Sequence, residues 1–255
     1  MPVTVSEGAL LAAWEAGVGR RAPQQALILL TSAADPARRD AVGLLPVGIR
    51  NTLLLALHRE CFGARLDCVA DCPNCGGALE FGLDVDDITG GSDMSDVDEW
   101  LATFSEQQTR PLVLRDDEFE VAVLPPTGAD LVAVGSVEPG QARQELLARC
   151  LVDASADVFE LPEPRLAELI ETIGDGLAEA DPHSVIEFEP SCAECEHRWS
   201  VELDVVGFVW AEVDAWARRL LTEVHILASA YGWTEFDVLS VGSSRRQFYL
   251  QAVAG

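Results

Sequence analysis

Two short stretches carry the residue types most suited to chemistry: "CPNCGGALEFGLDV", which begins at Cys72, and "CAECEHRWSVELDV", which begins at Cys192. Each holds a Cys-x-x-Cys turn, and each runs on into Leu-Asp-Val, the second copy displaced from the first by 120 residues. A Cys-x-x-Cys turn offers two thiolates from one tight loop, whereas a closed tetrahedral zinc site takes four ligands. One turn is half a site. Placed side by side, the two supply Cys72, Cys75, Cys192 and Cys195 as a four-cysteine set for a structural Zn2+ of the zinc-ribbon type. A redox Cys-x-x-Cys needs only one pair and a helix starting at the motif, but strand formers follow both pairs here. A third reading, coincidental core cysteines, does not account for the shared flanking pattern. His197 stands near the second pair and is read as a surface histidine beside four thiolates.

Other chemistry has little support in the chain. A Walker loop, a dinucleotide glycine fingerprint, a His-Glu-x-x-His helix and a nucleophile elbow are all missing from the sequence. The four histidines, His58, His183, His197 and His225, sit in unrelated contexts, and His58 and His225 lie within apolar helical patterns that favour a core or interface role. Cys61, Cys68 and Cys150 read as small core hydrophobes. Carboxylate pairs such as Asp116 and Asp117 are explained by turn chemistry. No residue set provides the open coordination position and general base that a catalytic zinc needs, so the expectation is a protein that is not an enzyme.

The elements that must position the cysteines follow from periodicity. Alternating or strand-forming residues flank each pair: Leu66 and Cys68 before the first, Leu79, Phe81, Leu83 and Val85 after it. Around the second, Ile186 and Phe188 precede and Trp199, Val201, Leu203 and Val205 follow, with Leu66 matching Ile186 and Cys68 matching Phe188. Both read as strand, knuckle, strand. Residues 6–33 offer two short helical patterns, and "LLPVGIRNTLLLALHRECFG" continues with Ile49, Leu53, Leu57 and Cys61 at helical spacing and Gly63 as a stop.

Between the halves, the acidic, glycine-bearing stretch from Thr89 to Glu99 reads as a linker. "RPLVLRDDEFEVAVLPP" reads as a hairpin turning at Asp116 and Asp117, Thr127 with Asp130 as a capping box, and the segments near Gln141–Leu151 and Arg165–Leu177 as helices. At the end, Trp210, Val213, Ala217, Leu220, Val224, Leu227 and Tyr231 form a seven-residue repeat on one helix face. Gly232 closes that helix, Thr234 with Asp237 caps the next, and Ser244 with Gln247 caps a last one. The fold class is therefore α+β: a split four-cysteine zinc ribbon of two strand-knuckle-strand halves, with an inserted mixed α/β region and helical N- and C-terminal sections. Its sections are 1–63 (helical), 64–88 (first ribbon half), 89–183 (insertion), 184–206 (second ribbon half) and 207–255 (helical).

Composition bounds the partners. An apolar share of 49% is that of a globular chain, and 43 acidic residues against 17 basic ones give a net charge of −26. All the basic residues are arginines. A field of this sign repels phosphate backbones and anionic lipid, so neither nucleic acid nor a membrane is the expected partner. No apolar run reaches the roughly 18 residues of a membrane span, and Glu7 and Glu15 stand where a signal peptide has no acid, so a cytoplasmic protein is expected.

The C-terminal string "FVWAEVDAWARRLLTEVHILASAYGWTEFDVLSVGSSRRQFYLQAV" resembles a baseplate protein family of contractile-tailed phages of the T-even type, with relatives in phage-tail-like contractile injection systems. The resembling residues are the helix entry at Trp210, the segment "LASAYGWTEFDVLSV" and the pair Arg245 and Arg246 before Tyr249 and Leu250. The opening "LLPVGIRNTLLLALHRECFG" with the first knuckle also looks like the injection-system members. The resemblance implies a non-enzymatic structural or assembly role, as a baseplate or hub subunit or as a hub assembly chaperone, with other tail subunits as partners.

The residues themselves place aromatic surface at Tyr231 and Trp233 and one of the chain's arginine pairs at Arg245 and Arg246. Aromatics beside arginines are common anchors of protein interfaces. The candidate interface residues are thus Trp210, Tyr231, Trp233, Arg245, Arg246 and Tyr249, the alternative being that the tryptophans pack between the last helices. The alternative function is a zinc-ribbon module acting on transcription machinery or nucleic acid, which the charge opposes.

Overall fold

The computed structural model describes residues 5–90, 111–115, 120–155 and 157–254. The chain opens with helices α1 (Glu7–Gly17), α2 (Ala22–Ala33), the short α3 (Arg39–Val42) and α4 (Val47–Phe62). Ser6 caps α1 by accepting the Ala9 N–H, and α4 stops at Gly63, whose φ of +103° excludes most side chains. α4 departs from the single apolar stripe read in the sequence. Arg50, Asn51, Thr52 and His58 are buried beside Leu53, Leu54, Leu55 and Leu57, because α4 is enclosed by α2, the long helix Val205–Tyr231 and the turn Pro182–Ser184.

Most of these polar groups are satisfied. Asn51 Nδ2 donates to the His183 carbonyl at 2.9 Å, Thr52 Oγ1 donates to the Gly48 carbonyl at 2.8 Å, and the Gly48 N–H donates to Asp181 Oδ2 at 2.8 Å. The chain returning from the insertion is thereby tied to α4.

Strands β1 (Arg65–Asp71) and β2 (Ala78–Asp84) form an antiparallel hairpin, followed by the short helix α5 (Val85–Thr89). The insertion supplies β3 (Leu112–Arg115), β4 (Glu120–Val123), α6 (Gly128–Val134), α7 (Pro139–Cys150), β5 (Leu151–Ala154) and α8 (Glu163–Ala180). Its strands make one antiparallel sheet in the order β3-β4-β5. Thr127 and Asp130 form the capping box of α6. β5 is an element the sequence did not announce: the helical pattern was read through Leu151, but α7 ends at Cys150 and the chain turns at once into a strand beside β4. The region has a core of its own, made by Val121, Val123, Leu147, Val158, Leu166, Leu169 and Ile173. The linker read at Thr89–Glu99 and the turn at Asp116 and Asp117 lie largely outside the described residues.

The second hairpin, β6 (Glu187–Phe188) and β7 (Val201–Glu202), leads into the long helix α9 (Val205–Tyr231), then α10 (Glu235–Ser240) and α11 (Ser243–Ala254). Gly232 closes α9 in the left-handed region at φ +68°, and Thr234 with Asp237 caps α10. α11 corrects one expectation: it begins at Ser243, and the Gly242 carbonyl accepts from the Arg245 and Arg246 N–H groups, so Gly242 rather than Ser244 stands at its start. The main core joins α1, α2, α4, Leu66, Val85 and the first half of α9 through Val205, Val206, Val209 and Val213. The rest of α9 continues over Leu11 and then under α10 and α11.

Adding 120 to both members of a pair in the first hairpin gives a pair in the second. Leu66↔Leu83 and Cys68↔Phe81 become Ile186 with Leu203 and Phe188↔Val201. The match runs on through the caps: Asp84 accepts the Asp86 N–H at the start of α5, and Asp204 accepts the Gly207 N–H at the start of α9. Val85 and Val205, the first residues of these helices, are both buried in the main core.

Candidate metal centre

Each knuckle is closed by the same two backbone bonds. The Gly76 N–H donates to the Cys72 carbonyl at 2.8 Å and the Cys72 N–H to the Gly77 carbonyl at 2.9 Å. In the second, the Glu196 N–H donates to the Cys192 carbonyl and the Cys192 N–H to the His197 carbonyl, both at 2.9 Å. The fourth residue after the first cysteine must take positive φ to make this turn. Gly76 does so at +73°, and Glu196 at +58° is the one described non-glycine residue with positive φ.

The two turns meet. Cys72 Sγ lies 3.7 Å from Cys195 Sγ, Cys75 Sγ lies 3.6 Å from Cys192 Sγ, and all four sulfurs are within 4.8 Å of one another. The first cysteine of each knuckle thus faces the second of the other, so one metal ion can touch all four. Cys72 and Cys192 are buried, Cys195 is half-buried and Cys75 is exposed. Beyond the sulfurs, the Phe81 and Phe188 rings meet at 5.0 Å and hold the hairpins together.

The surroundings favour thiolate on one side of the cluster. The Asn74 side-chain amide, 3.5 Å from Cys195 Sγ, and the His197 N–H bring Cys195 down to about 6. The Gly77 N–H favours the Cys75 thiolate in the same way, but the thiols of Cys192 and Cys195, desolvation and Cys72 together push Cys75 up to about 12. Further proton loss among four such close sulfurs is resisted unless a cation stands between them, which is the behaviour of a metal-ligand set. His197 is exposed and stacks on Trp199, outside the cluster. The remaining cysteines behave as packing groups: burial raises Cys61 and Cys150 to about 11 each.

The candidate interface residues divide. Trp210 is half-buried against α1, where a Cβ on Gly17 would overlap its ring, so Gly17 makes room for the indole. Tyr231, Trp233 and Tyr249 gather into one cluster with centroid separations of 5.2, 5.0 and 5.9 Å, and Phe248 adjoins Tyr249. Trp233 and Tyr249 pack on Val224, Leu227 and Val238, while Tyr231 is exposed. Arg245 is exposed.

Arg246 corrects the reading of a surface pair. It is only 3% exposed, donates bidentately to Glu7 at 2.6 and 2.8 Å, and reaches Glu223 at 3.1 Å and the Val241 carbonyl at 2.8 Å. It fastens the first helix, α1, to α9 and α11. The sequence signal for this is faint, since its partners stand 239 and 23 residues away. Of the core and interface roles read for His225, the core one is excluded, since it lies on the solvent side of α9. His183, by contrast, joins the site's support, its Nδ1 3.0 Å from Thr52 Oγ1.

Comparison with known proteins finds no family model, no curated protein and no solved structure that matches this chain. No described helix is long and apolar enough to cross a membrane.

Proposed function

We propose that the chain is a non-enzymatic structural or assembly protein of a contractile phage-tail-like particle, a baseplate or hub subunit or a hub assembly chaperone, whose split ribbon is closed by a structural zinc ion. Zinc suits the cluster because four thiolates at about 2.3 Å from a tetrahedral centre stand about 3.8 Å apart. The cross-knuckle separations of 3.7 and 3.6 Å agree with that. With four protein thiolates the coordination sphere is closed, which makes the ion a brace for the two chain segments on either side of the insertion.

The observation that carries the docking role is the aromatic corner at the far end of α9. Phe236 is 80% and Phe248 68% exposed, and Tyr231 adjoins the half-buried Trp233 and Tyr249. Aromatic side chains left in water on a folded surface are typical anchors for another protein. The test is quantitative mass spectrometry of purified contractile particles beside the lysate of the producing cell, with a deletion strain in parallel. Retention at a fixed ratio to sheath and tube identifies a subunit. Presence in the lysate alone, with particle formation lost on deletion, identifies an assembly factor. Absence from particles together with unaffected assembly overturns the proposal.

A further inference from the structure

The inserted region contains a cavity of about 170 Å3 between α7 and α8. Its walls are aliphatic, with Leu147, Ile170 and Ile173 among them, and two further lining residues stand out. The first is Gly174, in the middle of an 18-residue helix, where glycine weakens the helix relative to alanine. Packing does not call for it, since a Cβ built there meets nothing within 4 Å. Two residues on, Gly176 is needed, because its Cβ would come within 2.9 Å of Leu112. Gly174 is itself exposed, so the hollow opens to solvent beside it, and a longer side chain there has room to cover the opening.

The second is Arg143, the one charged residue of the lining. It is exposed, and among the described residues it has no hydrogen bond or ion pair. In a chain with 43 acidic residues and 17 arginines, a guanidinium left unpaired beside an aliphatic hollow is free to take a carboxylate from a ligand.

We propose that this cavity binds a small aliphatic carboxylate, with the acid on Arg143 and the chain against Leu147, Ile170 and Ile173. A dry cavity of about 150 Å3 accommodates benzene, so this one takes about six to eight non-hydrogen atoms, the size of pentanoate or hexanoate. The site lies within the inserted region and depends on neither the metal nor the docking corner.

Calorimetric titration of the full-length protein with hexanoate, 1-hexanol and hexylamine tests it, with ligand-observed NMR as a second readout. Hexanoate should bind in the millimolar range, as befits so small a ligand, and about tenfold more tightly than hexanol, with hexylamine weakest. Arg143→Gln should weaken hexanoate about tenfold and leave hexanol unchanged. Gly174→Leu fills the hollow and should abolish binding of all three while raising the thermal midpoint, which separates a blocked site from a misfolded protein. No hexanoate signal at tens of millimolar, equal binding of hexanoate and hexylamine, or a Gly174→Leu variant that still binds overturns the proposal.

Discussion

The hairpin around Cys72 has seven-residue strands on both sides, whereas the one around Cys192 has two-residue strands and one separate bridge at Ser191 and Arg198, although both follow one register displaced by 120 residues. Two local substitutions account for much of the difference. At the position of Ala70, which pairs with Leu79, the second hairpin has Pro190 opposite Trp199. In the first hairpin the Cys72 and Val85 N–H groups donate across the ladder, to Gly77 and Ala64. Alternation puts Ala70 in the same bonded set, so Pro190 lacks a donor at a rung that requires one. At the position of Gly76, the second hairpin has Glu196 with positive φ. The first half is held by its own ladder. The second leans on the cysteines it shares with the first, on Phe188 against Phe81 and on the helix that follows it.

The largest test of that contrast is removal of the proposed zinc. Structural zinc contributes on the order of 10 kcal/mol in small zinc domains, so if the four cysteines hold it, chelation or Cys192→Ser should cost several kcal/mol here. Hydrogen exchange read by mass spectrometry should then show residues 185–204 losing protection first, with 65–84 persisting longer. Simultaneous loss in both hairpins breaks the comparison.

Much of this centre was legible in the sequence. Cysteine spacing, alternating flanks and the repeated Leu-Asp-Val point to two equivalent half-sites, because ligand geometry and strand periodicity are local properties. The caps at Thr127 and Thr234 were legible for the same reason. What stayed hidden depends on distant partners. Arg246 looks like half of a surface pair until Glu7 and Glu223 fold against it, and the core reading of His225 falls away only once α9 is set against its neighbours. α4 reads as one apolar stripe, and its buried polar face appears only when Asp181, His183 and Ser184 arrive from 130 residues on. The strand β5 is missed because a four-residue strand has too few positions for its alternation to stand out from the preceding helix.

Exchanging the residues at the two equivalent turn positions sharpens the contrast at smaller cost. Gly76→Glu places a side chain in the left-handed region and should destabilise by about 1–2 kcal/mol, while Glu196→Gly should stabilise by about 0.5–1 kcal/mol. A Cβ at Gly76 meets nothing within 4 Å, so the loss would be backbone strain alone. Urea midpoints of the two variants, with metal bound, measure both. If both move stability in one direction, the turns are not equivalent.

Pro190→Ala should have a smaller net effect. The restored donor contributes about 0.5–1.5 kcal/mol, and the greater freedom of the unfolded chain removes about 0.4–1 kcal/mol, leaving a gain of a few tenths. The informative readout is the new amide at position 190. Slow exchange there shows the rung restored, and fast exchange shows that something other than the proline keeps the second ladder short.

The smallest effect concerns the joint between the two halves rather than either one. His58 on α4, the helix that leads into β1, is buried with its ring 5.5 Å from Phe62 and 5.6 Å from Phe208 on α9, the helix that leaves β7. Burial lowers its pKa from 6.5, opposed by the charge of Glu212 and a backbone hydrogen bond at Gly63, and its Nδ1 has no partner among the described residues. The fold therefore holds a proton on His58 less readily than the unfolded chain does near pH 6.5, so its contribution is complete above that pH and drains away as pH falls below it. Acid would also attack the proposed zinc site by protonating thiolates, which confounds a simple pH scan. Comparing wild type with His58→Leu in urea between about pH 7.5 and about pH 5.5 separates the two: the variant should lose part of the slope, and what remains belongs to the cysteines. An unchanged slope would assign all the acid sensitivity to the cluster, and the joint between α4 and α9 would then be as indifferent to pH as the apolar residues around it.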